Sequence, residues 1–508
     1  MASAIANATH AIHTHSMLAC PDYTGLLTYP PYNDFNDHLP DFSYAGYNNG
    51  FNNLPTNIPV TAFLQPCSVD DPTDDSDRIQ LLIDYISALP LTASGFRGAL
   101  QLSRGTFHLS KTINIQSSGV VIQGDPKGGT HIEVTADPRQ FTHLINIEGL
   151  PNEPVNARSD VLDEYVPVGG SHVRVAKPEL FRSGDHVIVS ANFNEEWLHA
   201  IGMDYIPSKG DPTKNVRWRP GHFDSFRIVR EVDLETGIVA LNAPLTVAIA
   251  KRWGSGFMRK YIDRRISRVG VQNLAFTLPF NKDRTPDDIM RDEGPTGKKD
   301  YRFAGEMFKG YLVRMENAED CWIQRVSTTW FRNFVRLLGG AISTTIQNCH
   351  HLFPQPPPPP TQPRRQPYLC GQSAYELGGQ LTLVSHCHAD HSMHAYVYMA
   401  RVPGPNVVHA CTASGRMGDV GPHMKWCHGW SGANCLIWNS KVGSGIVVQK
   451  PPTAHNFAVG STDKRGKVRM PDHEWGWWES PDVPVWPDSL YLRQLEERTS
   501  RSRHDFKH

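Results

Sequence analysis

Apolar residues in the second half of the chain recur in short runs of the form apolar-x-x-apolar-or-Cys. The runs are Val271-Gln272-Asn273-Leu274, Ile323-Gln324-Arg325-Val326, Ile346-Gln347-Asn348-Cys349, Val384-Ser385-His386-Cys387 and Val408-His409-Ala410-Cys411, with Ile437-Trp438-Asn439-Ser440 as a weaker sixth. The second and third are 23 residues apart and the fourth and fifth 24, the length of one coil in a solenoid whose turns stack on each other. Larger gaps coincide with loops. Stacking brings equivalent residues to about 4.8 Å, so Cys349, Cys387 and Cys411 form an inward ladder of small apolar side chains and need no disulfide. A metal on the three thiolates would require all of them at about 2.3 Å from one ion, and stacking is the simpler account.

Upstream, Asp74, Asp75 and Ser76 precede Ile79, Leu82, Ile83 and Ile86, which predicts a short amphipathic helix with acidic residues at its start. Gly98–Leu102, Gly105–Leu109 and Val120–Gly124 are β-prone and punctuated by Gly and Ser. From Val166 to Ala250 the strands at 184–189, 226–232 and 237–241 predict a small inserted β-domain. Between its strands a long connection, Trp197 to Pro220, carries Trp197, Met203, Asp204, Trp218 and Arg219; connections of this length are often functional. Pro354 to Pro367 includes five consecutive prolines and predicts an exposed extended loop. The predicted divisions are an N-terminal extension (1–60), a cap with first coils (61–160), the inserted β-domain (161–260), the main solenoid (261–485) and a C-terminal tail (486–508).

Composition narrows the partners. Lys plus Arg number 50 against 51 Asp plus Glu, a balance that argues against general nucleic-acid or membrane-surface binding. No apolar run approaches the roughly 20 residues that span a bilayer. Nine Cys without a CxxC pair disfavour a zinc ribbon and a dense disulfide framework. Twelve Trp and 16 Tyr fit both ordinary core packing and exposed aromatics that stack on sugars. Met1 to Cys20 contain neither a basic start nor a continuous apolar stretch of the signal-peptide kind.

The acidic helix, followed by Gly105-Thr106-Phe107-His108-Leu109-Ser110 and by Ile115-Gln116-Ser117-Ser118-Gly119-Val120-Val121-Ile122-Gln123-Gly124, resembles the start of pectate-lyase-like proteins, although the usual Gly-Asp-Gly run before the acidic pair is missing. Ala389-Asp390-His391, Arg401 to Val407, Asp419-Val420-Gly421-Pro422-His423 and Pro451 to Asn456 are similar to blocks of superfamily members that act on polysaccharides. The resemblance covers about Asp41 to Leu495. It implies an all-β, right-handed parallel β-helix solenoid with an N-terminal capping helix, secreted to the cell exterior and acting as a monomer on a polysaccharide, with no nucleic-acid or membrane partner.

If the cysteine-ended runs stack, the residues after them share one edge: His350, then His388, Asp390 and His391, then Arg416, Asp419, His423 and Lys425. Two mechanisms fit. In a lyase a base removes the proton beside a uronic acid carboxylate while a cation neutralises that carboxylate; His391 or His423 would be base or acid and Arg401 or Lys425 the cation. In a hydrolase two carboxylates flank the bond, and Asp390 and Asp419 are the candidates. The preponderance of His and basic residues favours elimination on an acidic sugar. Trp197, Asp204, Trp218 and Arg219 would close over the groove as a stacking wall, or pack the inserted domain on the solenoid. A carbohydrate-binding solenoid without catalysis is the third possibility. A calcium site needs several carboxylates at about 2.3–2.6 Å; the His-rich corner offers no such set, and Asp283 to Glu293 reads as a solvated loop, so no metal or cofactor is expected.

Overall fold

The computed structural model describes residues 14–50, 53–67, 74–135, 142–207, 211, 213–278, 310–354, 371–399, 403–414, 419–420, 424–425, 429–430, 432–443, 445–466 and 473–505. The architecture expected from the sequence, a right-handed parallel β-helix, is the one the coils form. The repeated runs lie side by side in register: Val271 pairs with Ile323, Ile323 with Ile346, Ile346 with Val384, Val384 with Val408 and Val408 with Ile437. All six side chains of this column point into the apolar core and are fully buried. Cys349, Cys387 and Cys411 are buried free thiols, and the Cys387 N–H points at the Cys411 sulfur at 3.4 Å.

The third position of each run is a corner. Asn273, Arg325, Asn348, His386, Ala410 and Asn439 all have φ between 46° and 59°, the left-handed region that bends a strand sharply and that Asn tolerates better than most residues. The bend divides one large parallel sheet into two limbs. Strands such as Thr345–Gln347 and Leu383–Ser385 form the back limb, and His350–Leu352 and His388–Asp390 the side limb. A separate eight-stranded parallel sheet closes the coil as the front: Ile113–Ile115, His143–Glu148, Tyr311–Glu316, Asn333–Leu337, Gly371–Leu377, Ser392–Tyr398, Asp419–Val420 and Gly445–Ile446. On the back limb a ladder of glutamines, Gln101, Gln123 and Gln272, links side-chain amides at 2.9 Å from coil to coil and ends on the Trp322 indole N–H, 2.8 Å from Gln272. Gly270, paired with Trp322, leaves the space this indole fills; a Cβ there would lie 2.3 Å from the ring.

The helix Ser76–Ser87 lays Ile79, Ile83 and Ile86 into the apolar core beside Leu100 and Leu102 of the first coils. The two acidic residues at its start make different contacts. Asp74 accepts the Ser76 N–H at 3.0 Å, whereas Asp75 is buried and binds Arg78 at 2.5 Å and the His108 N–H at 3.0 Å. Residues 14–50 run along the back. Leu18, Leu39 and Phe42, with Leu490 and Tyr491 of the helix Leu490–Asp505, cover the outward column Leu383, Val407, Leu436 and Phe457. Gln494 accepts the Phe42 N–H at 2.9 Å, and Thr14–His15 pairs with Val485–Trp486.

Between the front strands His143–Glu148 and Tyr311–Glu316 the chain also builds a six-stranded antiparallel sheet: Glu153–Asp160, Gly256–Ile262, His186–Phe193, Gly221–Val232, Ile238–Leu241 and His172–Arg174. It sits on the turns that leave the front sheet. Arg227, fully buried, donates to the carbonyls of Ala243 at 3.1 Å, Pro244 at 2.5 Å and Gly404 at 3.0 Å, so one guanidinium joins this sheet to a solenoid turn. Burial without a carboxylate partner pushes its pKa down to about 9.

Candidate functional site

The side-limb edge gathers part of the predicted set. His350 pairs with His388 and His388 with Thr412, while Asp390 pairs with Ser414. Strand alternation turns His350 outward and His351 inward. The His388 Nδ1 lies 2.7 Å from the Thr412 hydroxyl and its ring 6.4 Å from that of His350. Asp390 accepts hydrogen bonds from the Ser414 hydroxyl and, at 3.3 Å, from the Phe353 N–H; its Oδ1 is 3.4 Å from the His391 Nε2. Both side chains of this pair are about one-fifth exposed. Burial pushes the His388 pKa down, against the opposing pull of Asp390. The corner therefore offers an imidazole oriented by a carboxylate, next to a second imidazole that burial favours as neutral.

His423, Arg401 and Arg416 lie outside the described residues, as do the Pro-rich loop from 355 and the acidic stretch Asp283 to Glu293. Lys425 and Asp419 are placed by backbone alone. The proposed carboxylate pair is not one column: one coil on from Asp390 stands Ser414, and Asp419 opens a strand of the front sheet. The two therefore belong to different sheets.

Trp197 and Trp218 stand at the far end of the front strands from His391. They pack with Phe193, Leu198 and Trp430, and Trp218 is only 7% exposed. His391 immediately precedes the strand Ser392–Tyr398, whereas Gly404, on which the antiparallel sheet seats, follows it. A seven-residue strand spans roughly 20 Å, so these tryptophans do not wall the His391 corner. Asp204 binds His199 at 2.7 Å on the surface, and Arg219 is exposed.

Sequence reasoning missed the outward face of the front sheet. There Asn114, Asn146, Arg314, Arg336 and Glu376 stand in one register row. Arg314 donates to Asn146 at 2.8 Å and pairs with Glu148 at 3.3 Å and with Glu316. Hydrogen bonding from Asn146 and the charge of Arg314 hold the Glu148 carboxyl below its usual range. Arg336, with a side chain 37% exposed, lies 3.4 Å from Glu376 and 5.2 Å over the Tyr311 ring, and the Tyr311 hydroxyl donates to Glu376. Burial and the Glu376 charge raise the Tyr311 pKa, which keeps it a proton donor. The available signal was alternation: Arg and Glu occupy outward slots in Tyr311–Glu316, Asn333–Leu337 and Gly371–Leu377. Among the described residues no group of three or more His, Cys, Asp or Glu side chains converges on a metal position.

No family model matches the chain, and no curated protein does. Among solved structures it is similar to the tailspike protein gp49 of Pseudomonas phage LKA1, at 12% identity over 76% of this chain and 56% of that one, TM-score 0.34. It is also similar to the Azotobacter vinelandii mannuronan C-5 epimerase AlgE4 A-module, at 12% identity over 77% and 71%, TM-score 0.34. A third is a pectin methylesterase in complex with a hexasaccharide, at 8% identity over 82% and 94%, TM-score 0.29. The chain thus spans little more than half the tailspike's length. The fold assignment rests on the paired coils themselves.

Proposed function

We propose that the protein is a carbohydrate-active enzyme that lays an acidic polysaccharide over the front sheet and its His391 edge and cleaves it by β-elimination. The observation that carries this reading is the arrangement of ionisable side chains. The back of the solenoid is covered by residues 14–50 and the C-terminal helix, whereas on the front face Arg314 and Arg336 stay partly exposed beside the buried Glu376 and the half-buried Tyr311. Arg314 already faces two carboxylates. Arg336 shares Glu376 with Tyr311 and is the cation to which a sugar carboxylate has access.

In the proposed step His391, oriented by Asp390, takes the proton beside the carboxylate. The electron pair of that C–H bond forms a C=C bond, the bond to the glycosidic oxygen breaks, and that oxygen leaves with a proton from an acid. A cation on the carboxylate stabilises the developing enolate; Arg401 or Lys425 is assigned this part, with Arg336 receiving a neighbouring unit. Hydrolysis is the second reading. It is favoured by the three glutamates Glu148, Glu316 and Glu376 on the same face, since glycosidases employ paired carboxyl groups.

Digestion of pectic, algal and glucuronan-type polymers separates the two. Elimination leaves an unsaturated sugar with ultraviolet absorbance, and His391→Ala should reduce its formation at least a hundredfold. New reducing ends without that absorbance reject the lyase reading, and no product from any polymer rejects catalysis.

A further inference from the structure

His391 occupies an uncommon backbone conformation. Its φ is 44°, in the left-handed region that few residues with a side chain adopt. It stands where the side limb passes into the front sheet, away from the corner shared by the repeated runs. Trp330, with φ 71°, turns at the same place two coils earlier, so the bend belongs to the fold and the contacts around it are what differ. Conformations of this kind persist where the surroundings fix them, and they gather at working sites.

The following coil holds the His391 turn through its N–H, 3.0 Å from the Ser414 carbonyl, and through the Ser414 hydroxyl on Asp390. The preceding coil holds it through His351. This side chain is fully buried, its ring stacked against Phe334 and edge-on to Phe353. Its Nε2 lies 2.8 Å from the Phe331 carbonyl and its Nδ1 3.2 Å from the Ser392 hydroxyl. A carbonyl only accepts, so Nε2 carries the proton. Burial keeps the ring neutral, so Nδ1 offers a lone pair and the Ser392 hydroxyl donates to it rather than to the Asp390 carbonyl, 3.4 Å away. Ser392 is itself buried and follows His391 directly, as Phe331 follows Trp330. One imidazole thus ties two successive copies of the turn together from inside the core. Having no exposed surface, it can act on a ligand only through Ser392 and the turn.

We infer that His351 is a positioning residue of the proposed reaction, a part that rests on the reading of His391 as its base: through the Ser392 hydroxyl it fixes the left-handed turn that presents the His391 imidazole beside Asp390. A reacting group misplaced by about 1 Å can lose on the order of a hundredfold in rate, so the hold on this turn bears on turnover more than on binding.

Kinetics of the full chain on whichever polymer it cleaves test this. His351→Gln keeps a donor for the Phe331 carbonyl and leaves the Ser392 hydroxyl without its acceptor, whereas His351→Asn places an oxygen near the position of Nδ1. His351→Gln and Ser392→Ala should each lower kcat at least tenfold with KM within twofold of the parent's. The double variant should lose no more than either alone, and His351→Asn should recover most of the rate. Gln272→Leu, which loosens the back limb, should keep the parent's kcat. Hydrogen exchange over 388–398 needs no substrate, and there the His391 N–H should exchange at least tenfold faster in Ser392→Ala than in the parent. Parental kcat in His351→Gln, losses that add in the double variant, equal losses in His351→Gln and His351→Asn, or unchanged exchange each overturn the part given to His351 and leave the function standing. A parent that cleaves no polymer rejects the function, and that part with it.

Discussion

The back and the front of the solenoid share backbone, register and an apolar interior, and differ in what points outward. On the back the outward columns are Leu383, Val407, Leu436 and Phe457 and, two residues on, Trp438 and Val459, all buried under residues 14–50 and the C-terminal helix. On the front the equivalent slots are Asn146, Arg314, Arg336 and Glu376. An apolar outward face must be covered to be stable in water, whereas a polar one can stay open, so the identity of alternate residues decides which face is structural and which can meet a ligand.

Substitutions should separate the two faces. Trp438 is 1% exposed and its indole N–H donates to the Pro487 carbonyl at 2.8 Å; Trp438→Ala is expected to cost about 3–5 kcal/mol in chemical denaturation. The next effect depends on pH. His351 is fully buried, with its Nε2 2.8 Å from the Phe331 carbonyl, and burial pushes its pKa down to about 3. An unfolded histidine titrates near 6.5. Between those values the unfolded chain holds a proton that the folded chain lacks, so stability falls as pH drops below about 6.5, by about 1.4 kcal/mol per unit. Denaturation of His351→Gln between pH 7 and 4 should show that much less slope than the parent; equal slopes would exclude His351 as the source.

Gln272→Leu leaves the buried Trp322 indole N–H without its acceptor and should cost about 1–3 kcal/mol in the same assay. The smallest stability change is expected on the front. Arg336→Met should move stability by no more than about 0.5 kcal/mol while weakening acidic-polymer binding about tenfold by calorimetry. A large loss of stability there would mean that the front face, too, is structural.

The coil register was legible in the sequence because an inward column of apolar residues tolerates little variation. Val271, Ile323, Ile346, Val384, Val408 and Ile437 are spaced by the chain needed to circle the core once, wherever no insertion intervenes. Their variable third residue also has a physical basis in the left-handed corner. The front row was hidden by the opposite circumstance. Arg314 and Arg336 are 22 residues apart, but Arg336 and Glu376 are 40, since residues 355–370 enter between them and break the period. The edge cluster was half legible. His350, His388 and Asp390 meet as expected, whereas Asp419, expected on the same edge, opens a strand of the front sheet, a change of sheet that the apolar pattern does not mark. The covering role of residues 14–50 left no periodic trace at all, for the segment contains only two-residue strands and short 3₁₀ turns.

In an ordinary solenoid each coil needs only its neighbours, so the chain can add turns one after another as it emerges from the ribosome and can fray from either end. Here the Thr14–His15 strand closes on Val485–Trp486, and Leu27 and Phe42 find their hydrogen-bond acceptors in Glu497 and Gln494. These segments must therefore wait, unpaired, until their partners more than 450 residues further along the chain have been made. Once they dock, neither end of the coil stack can peel away without releasing the other, and a modular stack becomes a single cooperative unit.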